Sequence, residues 1–568
     1  MEFETTGRLL PKWLMQCLPY LLILLPILLG FYFVHAYGAN MAWGDQWDGM
    51  LPLFEKWFAG TLNFGDFWAQ HNEHRHFLPR MLMFVLGLLT KWNTVAEMYV
   101  IEVLFATILT MLLCVFHREC PSQSRLWLMV PIAWIVFSVR QYQNMLWGWQ
   151  IGFLLTPAAA IAAFLCLYLL KNPRRAALKY VGALLSATVA TFSAAQGLLV
   201  WPVGVLLLVL LPMVKRSKIA LVLVWVLVGM TEWLAYFWGY VKPAGHPNLA
   251  FSCEYFATIV GGALFPAVIE ATTAGGMILI LSAMAVITVL LLNRGARHSF
   301  WLAVIAWGLL VQAQITVARS GFGTGYALSS RYATFSILVL IGTYGILSLL
   351  IAVKPSLPIV AMWGALFSLI VLGLILSLVE GQREGRQSRQ DMEYLAFAFC
   401  TGESQPDEAL ERSAGPRAPA LRRGAEFLKQ HQWNIFASSD VCERYATPST
   451  ILQVLPFPTR GALEQFALNK ETGMVTAVGW ALDANGSDLA EGVFLEIDGV
   501  LYPAYYGIPR DDVVQPSMGD RLRQSGFMRT FSPRQFSKGR HHLILKILNG
   551  GRTAFFKPAD PIEFNVEE

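Results

Sequence analysis

Three small groups of residues in this chain are of types that do chemistry. The first is a pair of carboxylates, Asp45 and Asp48, in the segment WGDQWDG at 43–49. Three residues apart, they share a face if the segment is helical. Trp43 and Trp47 flank them. Apolar rings that exclude water raise a carboxyl pKa toward neutrality, where the group can serve as a general base. The plainer use of the same acids is a helix cap with solvated loop charges. The second group is His71, Glu73, His74 and Arg75, within QHNEHRHFLPR at 70–80, the densest polar cluster of the sequence. HNEH is not the HExxH pattern of zinc hydrolases. The expected role is therefore a polar pocket that receives an anion, with a divalent metal the less favoured use. The third group is Arg319 and Ser329-Ser330-Arg331-Tyr332, which close a glycine-rich stretch. Guanidinium forks match phosphate oxygens, and glycines let a backbone come close to a ligand. Snorkelling to lipid head groups is the competing use of the arginines.

The elements that must hold these groups are membrane helices. Hydrophobic residues make up 55% of the 568, charged residues 14%, and the mean hydropathy is +0.49. A soluble domain carries about 25% charged residues, so a large soluble enzyme is excluded, and the apolar content excludes disorder. None of the seven cysteines lies in a CxxC pair, so zinc and dithiol chemistry are not expected. Runs apolar enough to span a bilayer lie at 17–37, 95–116, 126–139, 151–170, 177–192, 197–214, 219–238, 276–292, 300–318, 332–353 and 357–379, about eleven in all. No small-residue cleavage site follows the first, which is expected to be retained. The run 77–90 carries Arg80 and is expected to lie at the membrane surface or dip into it without crossing. Arg118 and Arg125, Arg174 and Arg175, KRSK at 215–218, Arg294 and Arg297, and Lys354 then all fall on one side. Basic loops mark the cytoplasm, so the N-terminus is expected inside and the C-terminal region outside. All three polar groups belong to the outer face. No aspartate occurs from 67 to 390, so the acids of the membrane region concentrate in its first outer loop.

That arrangement resembles the GT-C superfamily of membrane glycosyltransferases, which includes protein mannosyltransferases and the aminoarabinose transferase acting on lipid A. The likeness covers roughly residues 10–380. It lies in an acid-bearing first outer loop after span one, then a short juxtamembrane helix beginning around HFLPR, then a span with a basic cytoplasmic exit. The resemblance implies inverting transfer of a sugar from a polyprenyl-phosphate donor to an envelope glycan, lipid or protein acceptor. It implies chemistry on the outer face of a bacterial inner membrane, with no cofactor and no nucleic acid. By position Asp45 or Asp48 matches the catalytic acid, and Arg319, Arg331 and Tyr332 match the groups that hold the donor phosphate. WGDQWD separates its acids by two residues, where many members have adjacent acids or one between, which leaves the choice of base open. The rival functions are a non-enzymatic lipid or glycan transporter and an O-antigen ligase or polymerase. A transporter places polar groups near the bilayer midplane; acids gathered in an outer loop favour the enzyme.

Residues 1–380 form the expected membrane domain. Residues 381–460 read as a polar extracytoplasmic linker with a helix at 419–431. From 461 to 568 the pattern turns to period-two runs, MVTAVGWAL, GVFLEIDGVLYPAYYG, SGFMRTFS, HHLILKIL and TAFFKP, bounded by DANGSD, DG, SKGR and NGGR. These predict an antiparallel β-sandwich. It looks like the accessory modules at the ends of bacterial sugar-processing membrane proteins, and serves as scaffold or glycan binder. Cys400 and Cys442 both fall on the oxidising side, where a disulfide between them is permitted.

Overall fold

The computed structural model describes residues 12–568 apart from 121–122, 244–249, 354, 403–417, 439, 444, 447–452, 456–460, 470–473, 484–487, 514–519, 550, 558–560 and 567–568. The chain forms two compact units. The helical unit comprises Met1–Gly38, Pro52–Leu88 and Thr94–Arg386; the second comprises Ala39–Leu51, Leu89–Asn93 and Gln387–Glu568.

Among the described residues, eight helices are long and apolar enough to cross a membrane: Gln16–Tyr37, Thr94–Glu119, Gly148–Lys171, Lys215–Phe237, Val268–Leu291, Ser299–Phe322, Ser330–Val353 and Leu357–Thr401. Each covers one of the eleven apolar runs. The other three runs are shorter. Ala176–Thr191 and Ala195–Leu210 are apolar helices below that length. The run 126–139 breaks into a 3-10 turn and the seven-residue helix Val130–Val136, which has Pro131 in its first turn. Phe77–Thr90 is a 14-residue helix, about 21 Å long at 1.5 Å per residue. That is short of the roughly 30 Å of hydrocarbon.

The long helices differ in how much protein surrounds them. Ser330–Val353 is 83% buried over its apolar window, whereas Lys215–Phe237 is 22% buried. Leu223, Leu227 and Leu234 of the latter are exposed at helical spacing, the face a spanning helix turns to lipid. The central helix is thus the one whose first turn carries Arg331 and Tyr332.

Leu357–Thr401 continues 21 residues past the expected boundary at 380, so the linker begins as helix. No proline interrupts the stretch 380–401, and Arg389 pairs with Glu393 one turn on at 2.8 Å. The expected helix at 419–431 is present as Ala418–His431. The partition also departs from a cut at 380, because two short segments, Ala39–Leu51 and Leu89–Asn93, join the second unit. Trp47 packs its ring 6.0 Å from Trp92 and 5.4 Å from Phe399. Asn434 donates to the Trp92 carbonyl at 2.7 Å and to Asn40 Oδ1 at 3.1 Å. Cys400 and Cys442 are bonded, with Cα atoms 5.1 Å apart.

The rest of the second unit is β-structure: β1 (Gln453–Leu455), β2 (Gly461–Asn469), β3 (Met474–Ala481), β4 (Gly492–Ile497), β5 (Val500–Pro503), β6 (Tyr505–Ile508), β7 (Gly526–Phe531), β8 (Gly539–Leu548), β9 (Ala554–Phe556) and β10 (Ile562–Val566). One sheet runs β2-β3-β7-β6, the other β1-β9-β8-β4-β5 with β10 on β8. Alternate residues of both sheets make one core: Ala477, Ala481, Phe527 and Phe531 from the first, and Val493, Leu495, Ile497, Leu543, Leu545 and Ile547 from the second. The pairing is antiparallel except for β1 with β9, which is parallel. Arg529 of β7 is fully buried. It donates to the Pro503 carbonyl at 2.9 Å and lies over Phe397, Tyr502 and Phe531.

Asp498 and Gly499 turn β4 into β5 with φ of 48° and 86°, the positive values that a two-residue hairpin needs and that glycine adopts without strain. The Asp498 carboxylate accepts from the His542 backbone N–H at 3.0 Å and from His541 Nδ1 at 2.5 Å. His541 Nε2 faces the Ser537 carbonyl at 2.7 Å. Both ring nitrogens thus meet acceptors, which favours the imidazolium. The bond to Asp498, then that to Ser537, raises the His541 pKa above its ordinary value. The bonds from His542 and His541 lower that of Asp498. The histidine's contribution is complete below about 6.5, its unfolded value, and is lost as pH rises through the raised folded value. The aspartate's is lost as pH falls through its lowered value. Amide exchange in β4, β5 and β8 of the whole protein should therefore quicken beyond the intrinsic rate on passing from pH 6 to pH 9. His541→Gln should remove that excess; an unchanged excess would show the pair is not its source.

Candidate functional site

The loop at 70–76 is built as a tight turn. His71 and His74 exchange backbone hydrogen bonds, each 2.9 Å, and Asn72 takes φ of 49°, a conformation asparagine tolerates better than most residues. The spacing of the two histidines is therefore that of a turn and not of a helix face. Gln70 fastens the turn to the 239–241 segment. Its Nε2 donates to the Val241 carbonyl at 2.6 Å, and its Oε1 accepts from the Val241 N–H at 3.0 Å.

Glu73 forms an ion pair with Arg319, at the end of the helix Ser299–Arg319. His74 Nδ1 accepts from the Ala195 N–H at 3.1 Å. Its proton accordingly sits on Nε2, 3.6 Å from Glu73 Oε1. Burial raises the Glu73 carboxyl, but His74 and Arg319 outweigh it and hold the pKa at about 2. His76 donates from Nδ1 to the Ser193 carbonyl at 2.6 Å. Burial, then the neighbouring His74, His71 and Arg80, push its pKa well down, so it is neutral. Trp149 closes the cluster with its ring 4.8 Å from His71 and 5.2 Å from His76.

Arg75 is placed differently from the expectation. Its guanidinium donates to the backbone carbonyls of Tyr236, Trp68 and Trp238, and it stacks on Trp68. It ties loop to helix end, and its donors face carbonyls instead of a ligand. Tyr236, which the sequence did not single out, completes this tie: its hydroxyl donates to the Glu73 carbonyl and accepts from the Arg75 N–H, both at 3.1 Å.

Arg319, Arg331 and Tyr332 come together. Arg319 lies close enough to the Tyr332 hydroxyl to interact with it. Arg331 lies over the Tyr332 ring at 5.3 Å and donates to the Tyr326 hydroxyl at 2.5 Å. The amide-rich segment after Val139 sets their position. Arg140 donates to the Leu328 carbonyl at 2.8 Å, Ser330 Oγ to the Arg140 carbonyl at 2.8 Å, and Asn144 to the Arg331 carbonyl at 3.1 Å. Two guanidiniums and a set of phenols held by backbone clamps can receive a phosphate, with Glu73 as the fixed counter-charge. Among the described residues no cluster of His, Cys, Asp or Glu suits a metal ion.

Asp45 and Asp48 belong to the second unit. Asp45 is half-buried and precedes the short helix Gln46–Gly49 without a side-chain capping bond; Asp48 is exposed in its first turn. Between them Trp47 is buried. A Cβ added to Gly424 of the helix Ala418–His431 would come within 2.7 Å of Trp47, so the helix can lie against the indole only with glycine there. The two acids thus flank a buried tryptophan that packs against this helix. No protein-family model matches the chain, and no curated protein matches it.

Proposed function

We propose that the chain is an inverting glycosyltransferase of the outer face of a bacterial inner membrane, moving a sugar from a polyprenyl-phosphate donor to an envelope glycan, lipid or protein. The observation that carries this reading is the grouping of Arg319, Tyr332 and Arg331 at the ends of two apolar helices. A lipid-borne phosphate at the bilayer surface meets two cationic forks there. Asp45, with Asp48 as second choice, takes the proton of the acceptor hydroxyl. The freed oxygen attacks the anomeric carbon, the bond from that carbon to the phosphate oxygen breaks, and the configuration inverts. Arg319 and Arg331 stabilise the charge on the departing polyprenyl phosphate. Glu73, held ionised by its partners, fixes Arg319 in place and is too weak a base for the proton. The Cys400–Cys442 bond supports an oxidising location for the second unit.

Mass analysis of envelope glycans from cells with and without this protein tests the reading. One glycan species should lose a sugar, and expression of wild type but not Asp45→Asn should restore it. Unchanged glycans would refute it. Orientation has its own test. Trp238, Val500 and Leu357 are exposed. In a background with the five free cysteines replaced, cysteines at 238 and 500 should react with an impermeant thiol reagent on intact spheroplasts. A cysteine at 357 should react only after the cells are opened. The reverse pattern would invert the topology and remove the site from the outer face.

A further inference from the structure

The helix Ser299–Arg319 carries Arg319 at one end. At its other end, about 30 Å away at 1.5 Å per residue, three basic loops of the helical unit meet. Lys171 donates from Nζ to the Arg297 carbonyl at 2.9 Å and stands 3.9 Å over the Tyr168 ring. The Arg297 guanidinium donates to the Glu119 carbonyl at 3.2 Å. The turn after Lys171 is braced as well. Lys179 donates to the Leu169 carbonyl at 2.9 Å and the Asn172 carbonyl at 2.8 Å, and Asn172 Oδ1 accepts from the Arg174 N–H at 2.9 Å. Arg174, Arg175 and Arg297 are exposed around this junction.

The segments 117–120, 171–175 and 293–297 together hold six Lys or Arg residues and one acid, Glu119. Glu119 is buried, and both its carboxyl oxygens are engaged, one by the Tyr168 hydroxyl at 3.0 Å and the other by His298 Nδ1 at 2.6 Å. It offsets one of the six charges. The preference of Lys and Arg for one side of a membrane acts on each loop separately and does not require that loops be fastened together. Cations gathered at a fixed place repel one another, and an anion that joins them relieves the repulsion. Apolar surface adjoins the same junction. Leu178, Val181 and Leu185 are exposed at helical spacing on Ala176–Thr191, the helix that follows Arg175, and Leu291 and Leu292 are exposed just before Asn293. An anion carried on acyl chains uses both the cations and the leucines, whereas a free phosphate uses only the cations. We propose that this junction binds the phosphate of an anionic phospholipid between the basic loops, at the end of the helical unit opposite Arg319. The inference does not depend on the reading of the chain as a transferase.

The test uses the full chain in neutral detergent, with dioctanoyl phosphatidylglycerol, dioctanoyl phosphatidylcholine and glycerol 3-phosphate as probes and binding read by native mass spectrometry. Wild type should bind phosphatidylglycerol about tenfold more tightly than phosphatidylcholine, the low end of what a hydrogen bond to a charged group contributes. Arg174→Gln with Arg175→Gln should weaken that binding by about fivefold for each cation removed, the usual contribution of one basic residue at an anionic lipid surface. Both arginines are exposed, so their exchange leaves the fold in place. The same exchange at Lys215 and Arg216, exposed in a different basic loop, should leave the affinity unchanged, which separates a site from general surface charge. Equal affinity for the two lipids, wild-type affinity in the Arg174 and Arg175 variant, or an equal loss in the Lys215 and Arg216 variant would overturn the proposal. Glycerol 3-phosphate bound as tightly as phosphatidylglycerol would overturn it too, because the acyl chains would then contribute nothing.

Discussion

Asp45→Asn is expected to reduce sugar transfer by about 10²–10⁴-fold, the usual contribution of a positioned general base, while expression, membrane insertion and donor binding persist. Asparagine keeps the shape of the side chain and one acceptor oxygen but cannot take a proton at neutral pH. The segment is anchored by the buried Trp47. A lost hydrogen bond of ordinary strength would cost only about 0.5–1.5 kcal/mol, roughly tenfold at most. The size of the effect therefore separates the two roles. Asp48→Asn should be milder if Asp48 orients the acceptor, and should exceed Asp45→Asn if Asp48 is the base. Initial rates of transfer from a labelled donor lipid measure both. Near wild-type rates in both variants would remove this segment from the catalytic centre and favour transport.

The second large effect is expected at the arginines. Arg331→Ala should weaken donor binding and turnover by roughly ten- to a hundredfold, since a hydrogen bond to a charged group is worth about 1.5–3 kcal/mol. Lysine should rescue it only in part, because it lacks the fork. Arg319→Ala is harder to read by itself, for it also leaves Glu73 partly buried without its partner, a destabilising change. The double variant Arg319→Ala with Glu73→Gln removes that complication. It should recover thermal stability without recovering donor affinity. Donor affinity equal to wild type in Arg331→Ala and in the double variant would dismiss the phosphate site.

Much of this fold is legible where the signal is local. Eight apolar runs became long helices because an apolar stretch in lipid must satisfy its own backbone bonds. MVTAVGWAL and HHLILKIL became β3 and β8 because period-two alternation survives in any sheet with one buried face. The turn DG was readable for the same reason. Where hydropathy and breakers compete, the reading was coarser: Pro131 cut one expected span short, and a polar but proline-free stretch extended the last helix to Thr401. The site was legible only as separate pieces. Arg319, Arg331 and Tyr332 were named from their types, but the pairing of Glu73 with Arg319 crosses 246 residues and leaves no periodic trace. Tyr236 was invisible for that reason, and Arg75 looked like a ligand-binding group because its carbonyl partners carry no sequence mark. The support of Trp47 by Gly424 likewise depends on contact between distant segments, so the placement of Asp45 and Asp48 in the second unit was not readable from the first 100 residues.

The most direct test of the central claim is transfer by the purified protein in nanodiscs. It would be given a polyprenyl-phosphate sugar of known anomeric configuration and an envelope extract as acceptor, with the released lipid and the new linkage followed by mass spectrometry and NMR. Free polyprenyl phosphate in equal amount to the sugar transferred, and a linkage of inverted configuration, are expected. A retained configuration, or donor consumed or moved with no polyprenyl phosphate released, would contradict it.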